Sequence, residues 1–505
     1  MTYYDEFSDD IDDFDFAAEA KRKREKSKKN SVPKSVPKQQ VLPDKSVIPP
    51  PKVVSNSAQK LQDELIQQVQ ERKIENEPQI CINCITVGNV DAGKSTIFGH
   101  LVHLLSNETR SLEKLEKLSD QLNKPSFKYA YFLDTNQQER ERGVTIAVNS
   151  YSMQIEDKLF VMQDCPGHQD FSDQIQKSVA EPDVGILALE AGQFQRLQKK
   201  IEEQLRMLVA FNVLKVIVVV NKMDTIGFDQ QQFNAIRRSL IKLFQQVQKT
   251  FGSNIQLEII PCAAMDEIDN NLVESSQKML FAEATLKQSL INCKPRPKSL
   301  EKPPVISILD FSSSEGKLYF TANVLEGFIQ QKDVFYIQNS LLAFQVTQIQ
   351  DFQLNNLQNA VGFCRLQVQI FDKPIQGLMS SFSVDLLQKV KSGSQAALAG
   401  QFLLQTQLKM ANRLRAQLVA CEQLYPGQNF DAYVFNQKID CRIRKIDAIL
   451  ENDKLMEGVK DFASENDVVV VDLVCDEKVV VKEGYRVVLR GQMNTVAVGV
   501  LKAWN

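Results

Sequence analysis

The stretch GNVDAGKST, residues 88–96, decides how the first folded part of the chain is interpreted. It has the spacing G-x-x-x-x-G-K-[ST] and lies between an apolar run, ICINCITV, and a helical run, IFGHLVHLL. In that context the glycines let backbone N–H groups curl around phosphate oxygens, and the helix adds its N-terminal dipole. The sequence therefore predicts a phosphate-binding loop between a buried strand and a helix.

Every residue of this loop is expected to contact a bound nucleotide. Lys94 neutralises phosphate charge, and the Ser95 hydroxyl is a ligand for Mg²⁺. The predicted nucleotide-binding residues of the loop are Gly88, Asn89, Val90, Asp91, Ala92, Gly93, Lys94, Ser95 and Thr96.

The identity of the base is predicted from NKMD, which comprises Asn221, Lys222, Met223 and Asp224 and follows the apolar strand VIVVV. The Asp224 carboxylate can accept hydrogen bonds from N1–H and the 2-amino group of guanine, whereas adenine lacks both donors. GTP and GDP are therefore the expected nucleotides, with Mg²⁺ as the metal.

A further signal for the base is CAA, which follows the strand LEIIP. Its residues Ala263 and Ala264 are predicted to offer a backbone N–H group to guanine O6.

Two segments between these motifs are predicted to sense the γ-phosphate. ERERGVTI carries Thr145, which is expected to close over that phosphate and to complete the metal shell. DCPGHQDF carries Asp164, which holds Mg²⁺ through water, and Gly167, whose N–H meets the γ-phosphate. His168 directly follows this glycine, so it is predicted to order or polarise the attacking water.

The composition indicates a protein of several domains. The chain has 505 residues, 43% of them hydrophobic, which is more than one core usually organises. Strands and helices alternate through the first part, as in a doubly wound α/β domain with a mostly parallel sheet, and short strands broken by turns follow. The predicted domains are a disordered charged tail at 1–55, a helical lead-in at 56–77, a GTP-binding domain at 78–298, a first β-barrel at 299–386, a linker at 387–406 and a second β-barrel at 407–505.

The charge and the cysteines restrict the environment and the partners. A net charge of −3 argues against binding to DNA or to other nucleic acids through overall basicity. Nine cysteines without a regular framework fit a reducing compartment. The longest apolar run, VLKVIVVV, is far shorter than the ~20 residues of a membrane-spanning helix. We therefore expect a cytoplasmic protein. His100 and His103, in IFGHLVHLL, are interpreted as packing residues.

With these motifs in order, the chain resembles the elongation factor 1-alpha family of translational GTPases from about residue 80 to its end. GNVDAGKST, ERERGVTI, DCPGHQDF, NKMD and the terminal RVVLRGQMNTVAVGVL all occur in family order. The resemblance implies GTP hydrolysis stimulated by the ribosome, whose RNA and proteins are then partners. It also implies that Val90 and Val144 form an apolar gate over the catalytic His168.

Within the family, SFKYAYFLDTNQQERERGVTI and the charged tail are most similar to the HBS-type ribosome-rescue GTPase, the partner of Pelota. This resemblance implies a monomer that delivers a tRNA-mimicking, Pelota-type protein to stalled ribosomes in mRNA surveillance, with no role for a membrane. Three alternatives stay open. The first is an elongation or termination GTPase that carries aminoacyl-tRNA or a release factor, and the second is a scaffold that holds GTP with little hydrolysis. The third is a metabolic GTPase of the sulfate-activating kind, which shares the phosphate loop and the barrels.

Three departures from the family pattern accompany the resemblance. Asn89 stands where the family has histidine, and Ala263 stands where it has serine. The segment EAGQFQRLQKKIEEQLRML, residues 190–208, replaces a glycine-rich family segment. The third departure motivates the scaffold alternative, because it alters the region behind the second phosphate-sensing loop.

Overall fold

The fold is taken from a computed structural model of the chain. It describes residues 81–106, 128–129, 149–165, 182–251, 254–314, 316–337, 343–351, 354–370, 402–404, 410–434, 437–451, 454–491 and 495–502. The predicted tail and helical lead-in lie outside these residues.

The first domain is built on a six-stranded sheet with the strand order β2-β3-β1-β4-β5-β6. All neighbouring strands are parallel except β2 and β3, which are antiparallel. The strands are β1 (Cys81–Gly88), β2 (Asn149–Ile155), β3 (Lys158–Asp164), β4 (Val184–Glu190), β5 (Lys215–Asn221) and β6 (Gln256–Pro261).

Helices accompany this sheet, as the apolar composition of its strands requires. Every residue of β5 is buried, which is typical of a parallel strand covered on both faces. The helices are α1 (Lys94–Ser106), α2 (Phe194–Ala210), α3 (Gln230–Phe251) and α4 (Leu286–Ile291), with 3₁₀ turns at Ala191–Gln193 and Met223–Ile226. In α2 the residues Ile201, Leu205 and Leu208 form the buried stripe that faces the core.

The second domain is an antiparallel β-barrel. Its strands follow the order β10-β12-β8-β7-β13-β9, and β9 pairs with β10 to close the barrel, with β11 added beside β10. The strands are β7 (Val305–Ser314), β8 (Lys317–Gln330), β9 (Val334–Ile337), β10 (Ala343–Gln350), β11 (Asn356–Leu357), β12 (Asn359–Ile370) and β13 (Phe402–Leu404).

The position of β13 differs from the sequence prediction, which placed residues 387–406 in a linker. Phe402–Leu404 instead pair with β7 on one side and with β9 on the other. A strand of three residues is too short to show a period of two, and pairing with two open strand edges stabilises it. The linker prediction is therefore wrong for these three residues.

The third domain is a second antiparallel barrel. Its strands follow the order β15-β19-β20-β14-β18-β16, and β15 pairs with β16 to close it, with β17 outside β16. The strands are β14 (Met410–Ala420), β15 (Asn429–Val434), β16 (Gln437–Glu451), β17 (Lys454–Lys460), β18 (Val468–Val480), β19 (Arg486–Arg490) and β20 (Thr495–Leu501). The predicted fold class, an α/β phosphate-loop domain followed by two β-barrels, is confirmed.

Helix α2 connects the first domain to the second barrel. The Arg206 guanidinium donates to Asn466 Oδ1 at 2.6 Å. Just beyond the helix, the guanidinium of Arg486 lies over the ring of Phe211, with 3.9 Å between its central carbon and the ring centroid. Most of the segment that departs from the family pattern, residues 194–208, therefore lies in a helix that contacts both the first domain and the second barrel.

The described residues contain neither a disulfide nor a membrane-spanning helix. All nine cysteines lie in the described part and carry free thiols. None of the helices described there is both long and apolar enough to cross a bilayer.

Asp183 fixes the junction between the sheet and the segment that leads to the first barrel. Its two carboxylate oxygens accept hydrogen bonds from the backbone N–H groups of Asn83, at 2.8 Å, and Arg296, at 2.7 Å. Asp183 is 4% exposed, so both bonds are shielded from water.

We expect Asp183→Ala to lower the free energy of unfolding by about 2–4 kcal/mol, because it leaves two buried N–H groups without an acceptor. Urea unfolding followed by circular dichroism measures this change. Asp157→Ala, in the exposed turn between β2 and β3, is the matched control and should change stability by less than about 0.5 kcal/mol. Equal changes in stability for the two substitutions would contradict the stabilising role of the Asp183 hydrogen bonds.

Candidate nucleotide-binding site

The predicted site residues meet at the carboxyl edge of the parallel sheet. β1 ends at Gly88, β3 at Asp164 and β5 at Asn221. The register places Thr86 beside Asp164 and Glu190 beside Asn221. Ligands of doubly wound folds bind at this edge, where the loops after the strands converge.

The phosphate loop, residues 88–96, holds its lysine in place with its own carbonyl groups. The ammonium of Lys94 donates to the carbonyl oxygens of Gly88 and Asn89, each at 3.0 Å. Lys94 is 7% exposed. Burial lowers the pKa of Lys94, and the nearby Asp164 carboxylate acts in the opposite direction. Phosphate oxygens can replace these carbonyl acceptors, so the geometry suits an anion next to the loop.

The loop conformation requires glycine at position 93. Gly93 has φ +85°, and a Cβ there would lie 2.4 Å from Nδ2 of Asn221. Asp91 also has a positive φ, +63°. Val90, the predicted first half of the apolar gate, is 40% exposed at the tip of the loop. Thr96 lies in the first turn of α1.

The two predicted magnesium ligands of the described residues contact each other. The Ser95 hydroxyl donates to Oδ2 of Asp164 at 2.7 Å, and Asp164 is 1% exposed. A hydroxyl and a buried carboxylate are the hard oxygen donors that Mg²⁺ prefers, and they lie beside the phosphate loop. These residues therefore fit a magnesium ion.

Asn221 joins three segments of the site. Its side-chain Nδ2 donates to the carbonyl oxygen of Ala92 at 3.0 Å, and its Oδ1 accepts from the N–H of Ala264 at 3.0 Å. Asn221 is 2% exposed. A single buried amide thus connects the phosphate loop, NKMD and the predicted base-binding segment.

The remaining polar residues of NKMD lie at the rim of the site. Lys222 has φ +58°, and its ammonium forms an ion pair with Glu190 at 2.9 Å. Asp224 is exposed in the first turn of the 3₁₀ helix. An exposed carboxylate at this edge is accessible to the N1–H and 2-amino donors of a guanine ring.

The two predicted donors to guanine O6 have hydrogen bonds within the protein. Ala263 donates its N–H to the carbonyl of Asn270 at 3.2 Å, and Ala264 donates to Asn221. Both alanines are buried. We call residues 262–265 the guanine loop; its role in contacting O6 stays a prediction.

His100 has a contact that the sequence did not predict. Its Nδ1 lies 2.8 Å from the carbonyl oxygen of Ala264, and its ring stacks on Tyr129 with 3.8 Å between centroids and an interplanar angle of 10°. The sequence indicates only a packing role for His100. The available signal was its position six residues after Lys94, on the face of α1 that carries Ile97 and Leu101.

Four predicted site residues fall outside the described part of the chain. They are Thr145, Gly167, His168 and the second gate residue, Val144. Their roles remain predictions.

The sequence comparisons identify the family of the first domain. Residues 79–328 match the model of the elongation factor Tu GTP binding domain. This part of the chain belongs to that family. The GTP-binding domain thus defined contains the whole site and ends within β8 of the first barrel.

Curated relatives match the chain over a similar region. The elongation factor 1-alpha of Entamoeba histolytica is 31% identical over 242 residues, 46% of this chain and 54% of that protein. The elongation factor 1 alpha-like protein of Schizosaccharomyces pombe is 28% identical over 271 residues, 52% of this chain and 45% of that protein. The chain thus spans about half the length of the curated relatives it matches.

Solved structures extend the likeness to the barrels. The GTP-bound Ski7 GTPase-like domain of S. cerevisiae has a TM-score of 0.64 at 17% identity, and covers 85% of this chain and 98% of that one. SelB of Methanococcus maripaludis, bound to a GTP analogue, has a TM-score of 0.55 at 15% identity. The match covers 85% of this chain and 80% of SelB. At these identities the likeness concerns the fold alone.

The titration of His100 gives a prediction for stability. Burial, followed by the effects of His103 and Lys128, lowers the pKa of His100 to about 4, although the Ala264 carbonyl and Glu267 act in the opposite direction. Between pH 6.5 and pH 4 the unfolded chain therefore binds a proton at this position that the folded protein does not bind. The free energy of unfolding should fall by about 2 kcal/mol from pH 7 to pH 5 because of this group.

Urea unfolding of wild type and His100→Asn at both pH values measures the effect, since asparagine does not titrate. The loss on acidification should be smaller in the variant by about 2 kcal/mol. The same loss in both proteins would show that His100 does not titrate in this way.

Proposed function

We propose that this chain is a translational GTPase that binds GTP with Mg²⁺ and hydrolyses it on the ribosome. One observation carries the proposal: the phosphate loop, the Ser95–Asp164 pair and NKMD converge at one sheet edge in an elongation factor Tu GTP binding domain. The relatives named elongation factor 1-alpha support a role in translation. The proposed location is the cytoplasm, and the proposed form is a monomer.

Within this class, we propose that the cargo is a Pelota-type protein delivered to stalled ribosomes. The support is the resemblance of SFKYAYFLDTNQQERERGVTI and the charged tail to the HBS type. The fold shared with the Ski7 GTPase-like domain is compatible with this proposal.

The chain's own residues have distinct roles in the proposed reaction. Lys94 and the backbone N–H groups of its loop bind and orient the phosphates. Ser95, Asp164 and Thr145 hold the magnesium ion, which when bound neutralises the charge of the β- and γ-phosphates. His168 orders the attacking water, and Val90 and Val144 shield it until the ribosome opens this gate. Gly167 and Thr145 lose their anchor when the γ-phosphate leaves, so hydrolysis changes the loop conformation.

The base contact can be tested by exchanging the donor and acceptor properties of Asp224. Asp224→Asn should weaken GDP binding by at least about 100-fold, since a charged double acceptor is lost. It should strengthen binding of xanthosine diphosphate, whose O2 can accept from the new amide. Fluorescence titration with both nucleotides measures the exchange. Unchanged GDP affinity would exclude Asp224 as the base ligand.

Ribosome-stimulated hydrolysis depends on His168 in this proposal. Phosphate release from GTP, with purified ribosomes, should fall by about 10²–10⁴ in His168→Ala because the water is no longer ordered. GDP affinity should stay within a factor of about three, since His168 contacts the water rather than the nucleotide. Wild-type protein that binds GTP but releases no phosphate on ribosomes would favour the scaffold alternative.

The cargo is identified by copurification from cell extract in the presence of a non-hydrolysable GTP analogue. Peptide identification should recover a Pelota-type protein together with ribosomal proteins. Recovery of aminoacyl-tRNA, or of a release factor, without such a protein would instead indicate an elongation or termination factor. The matched control is the Asp224→Asn variant in the presence of the same GTP analogue. This variant should not bind the analogue.

A further inference from the structure

The backbone of Ala264 is held from both sides. Its N–H donates to Asn221 Oδ1 at 3.0 Å, and its carbonyl oxygen lies 2.8 Å from Nδ1 of His100. Asn221 also bonds to Ala92 of the phosphate loop. Because α1 begins at Lys94, within that loop, and carries His100, these contacts form a closed ring through the phosphate loop, Asn221, the guanine loop and α1.

The stack with Tyr129 fixes the orientation of the imidazole. The two rings are nearly parallel and 3.8 Å apart, and their residues are 1% and 2% exposed. Tyr129 can approach because α1 has glycine at position 99, where a Cβ would lie 1.9 Å from the Tyr129 carbonyl oxygen. Lys128 forms an ion pair with Glu267, at 2.9 Å, and so anchors the same chain segment beyond the guanine loop.

The hydrogen bond defines the tautomer of His100. A carbonyl oxygen only accepts, so the hydrogen must be on Nδ1. Burial lowers the pKa of His100 to about 4, which keeps the ring neutral at physiological pH. The ring therefore carries its one hydrogen toward Ala264.

We propose that His100 is a positioning residue for guanine recognition, which holds the Ala264 carbonyl and thereby fixes the guanine loop beside O6 of the base. Tyr129 holds the imidazole in the orientation that this bond requires. The proposal rests on the proposed function, because it takes guanine as the base beside this loop. His100 itself does not contact the nucleotide.

Two substitutions of similar size separate the hydrogen bond from the volume of the side chain. His100→Leu removes the donor, whereas His100→Asn keeps an N–H donor close to the position of Nδ1. We expect His100→Leu to weaken GDP binding about tenfold, as the loss of one well-placed hydrogen bond does. His100→Asn should stay within about threefold of wild type. Tyr129→Leu, which removes the stacked ring, should act in the same direction as His100→Leu.

Modified nucleotides show whether the loss concerns O6. In 6-thioguanosine diphosphate, a sulfur atom replaces O6 and is a weaker hydrogen-bond acceptor. Inosine diphosphate lacks the 2-amino group that is assigned to Asp224. The ratio of the 6-thio and GDP dissociation constants should fall toward one in His100→Leu. The ratio of the inosine and GDP dissociation constants should keep its wild-type value. A residue that only stabilises the fold would leave both ratios unchanged.

The outcomes distinguish this inference from the proposed function. If wild type binds GDP and His100→Leu keeps its affinity and both ratios, the inference is wrong and the function stands. If wild type does not bind GDP, the proposed function fails. Should His100→Leu not fold, nitrogen-15 NMR of the wild-type histidines, three in all, provides a second test. A neutral His100 with its hydrogen on Nδ1 supports the inference, and a hydrogen on Nε2 overturns it.

Discussion

The buried side-chain amide of Asn221 is the contact on which the candidate site depends. It has one donor bond to the phosphate loop, at Ala92, and one acceptor bond to the guanine loop, at Ala264. The two loops follow different strands and are far apart in sequence. Because the amide is 2% exposed, water cannot replace either bond. The same side chain excludes a Cβ at Gly93, so the loop that would surround the phosphates is shaped by the residue that begins the base motif.

The sequence predicted the parts of the site that depend on local spacing. The strand before GNVDAGKST, the helix after it and the position of NKMD at a strand end all follow from short-range patterns. The contact between Ser95 and Asp164 was also implied, since both were assigned to one metal ion. Parallel strands end at the same sheet edge, and this rule brings the motifs together.

The parts that the sequence did not predict are contacts between distant segments. His100 and Ala264 are 164 positions apart, and nothing in IFGHLVHLL distinguishes a hydrogen-bonded histidine from one that only packs. Phe402–Leu404 form a strand because two open edges of the first barrel accept them. Such contacts depend on the assembled fold, and a single sequence does not encode them as a periodic pattern.

The segment that departs from the family pattern has a definite structural role. Glu190, its first residue, forms an ion pair with Lys222 of NKMD, and Arg206 near its end bonds to the second barrel. The departure therefore links the rim of the candidate base site to a distant domain.

The central claim is that this sheet edge binds a guanine nucleotide and discriminates against adenine. Titration calorimetry of the purified chain with GDP and with ADP, in buffer that contains magnesium, tests it most directly. The account predicts saturable binding of GDP at one site and no measurable binding of ADP. Binding of neither nucleotide, or equal binding of both, would contradict it.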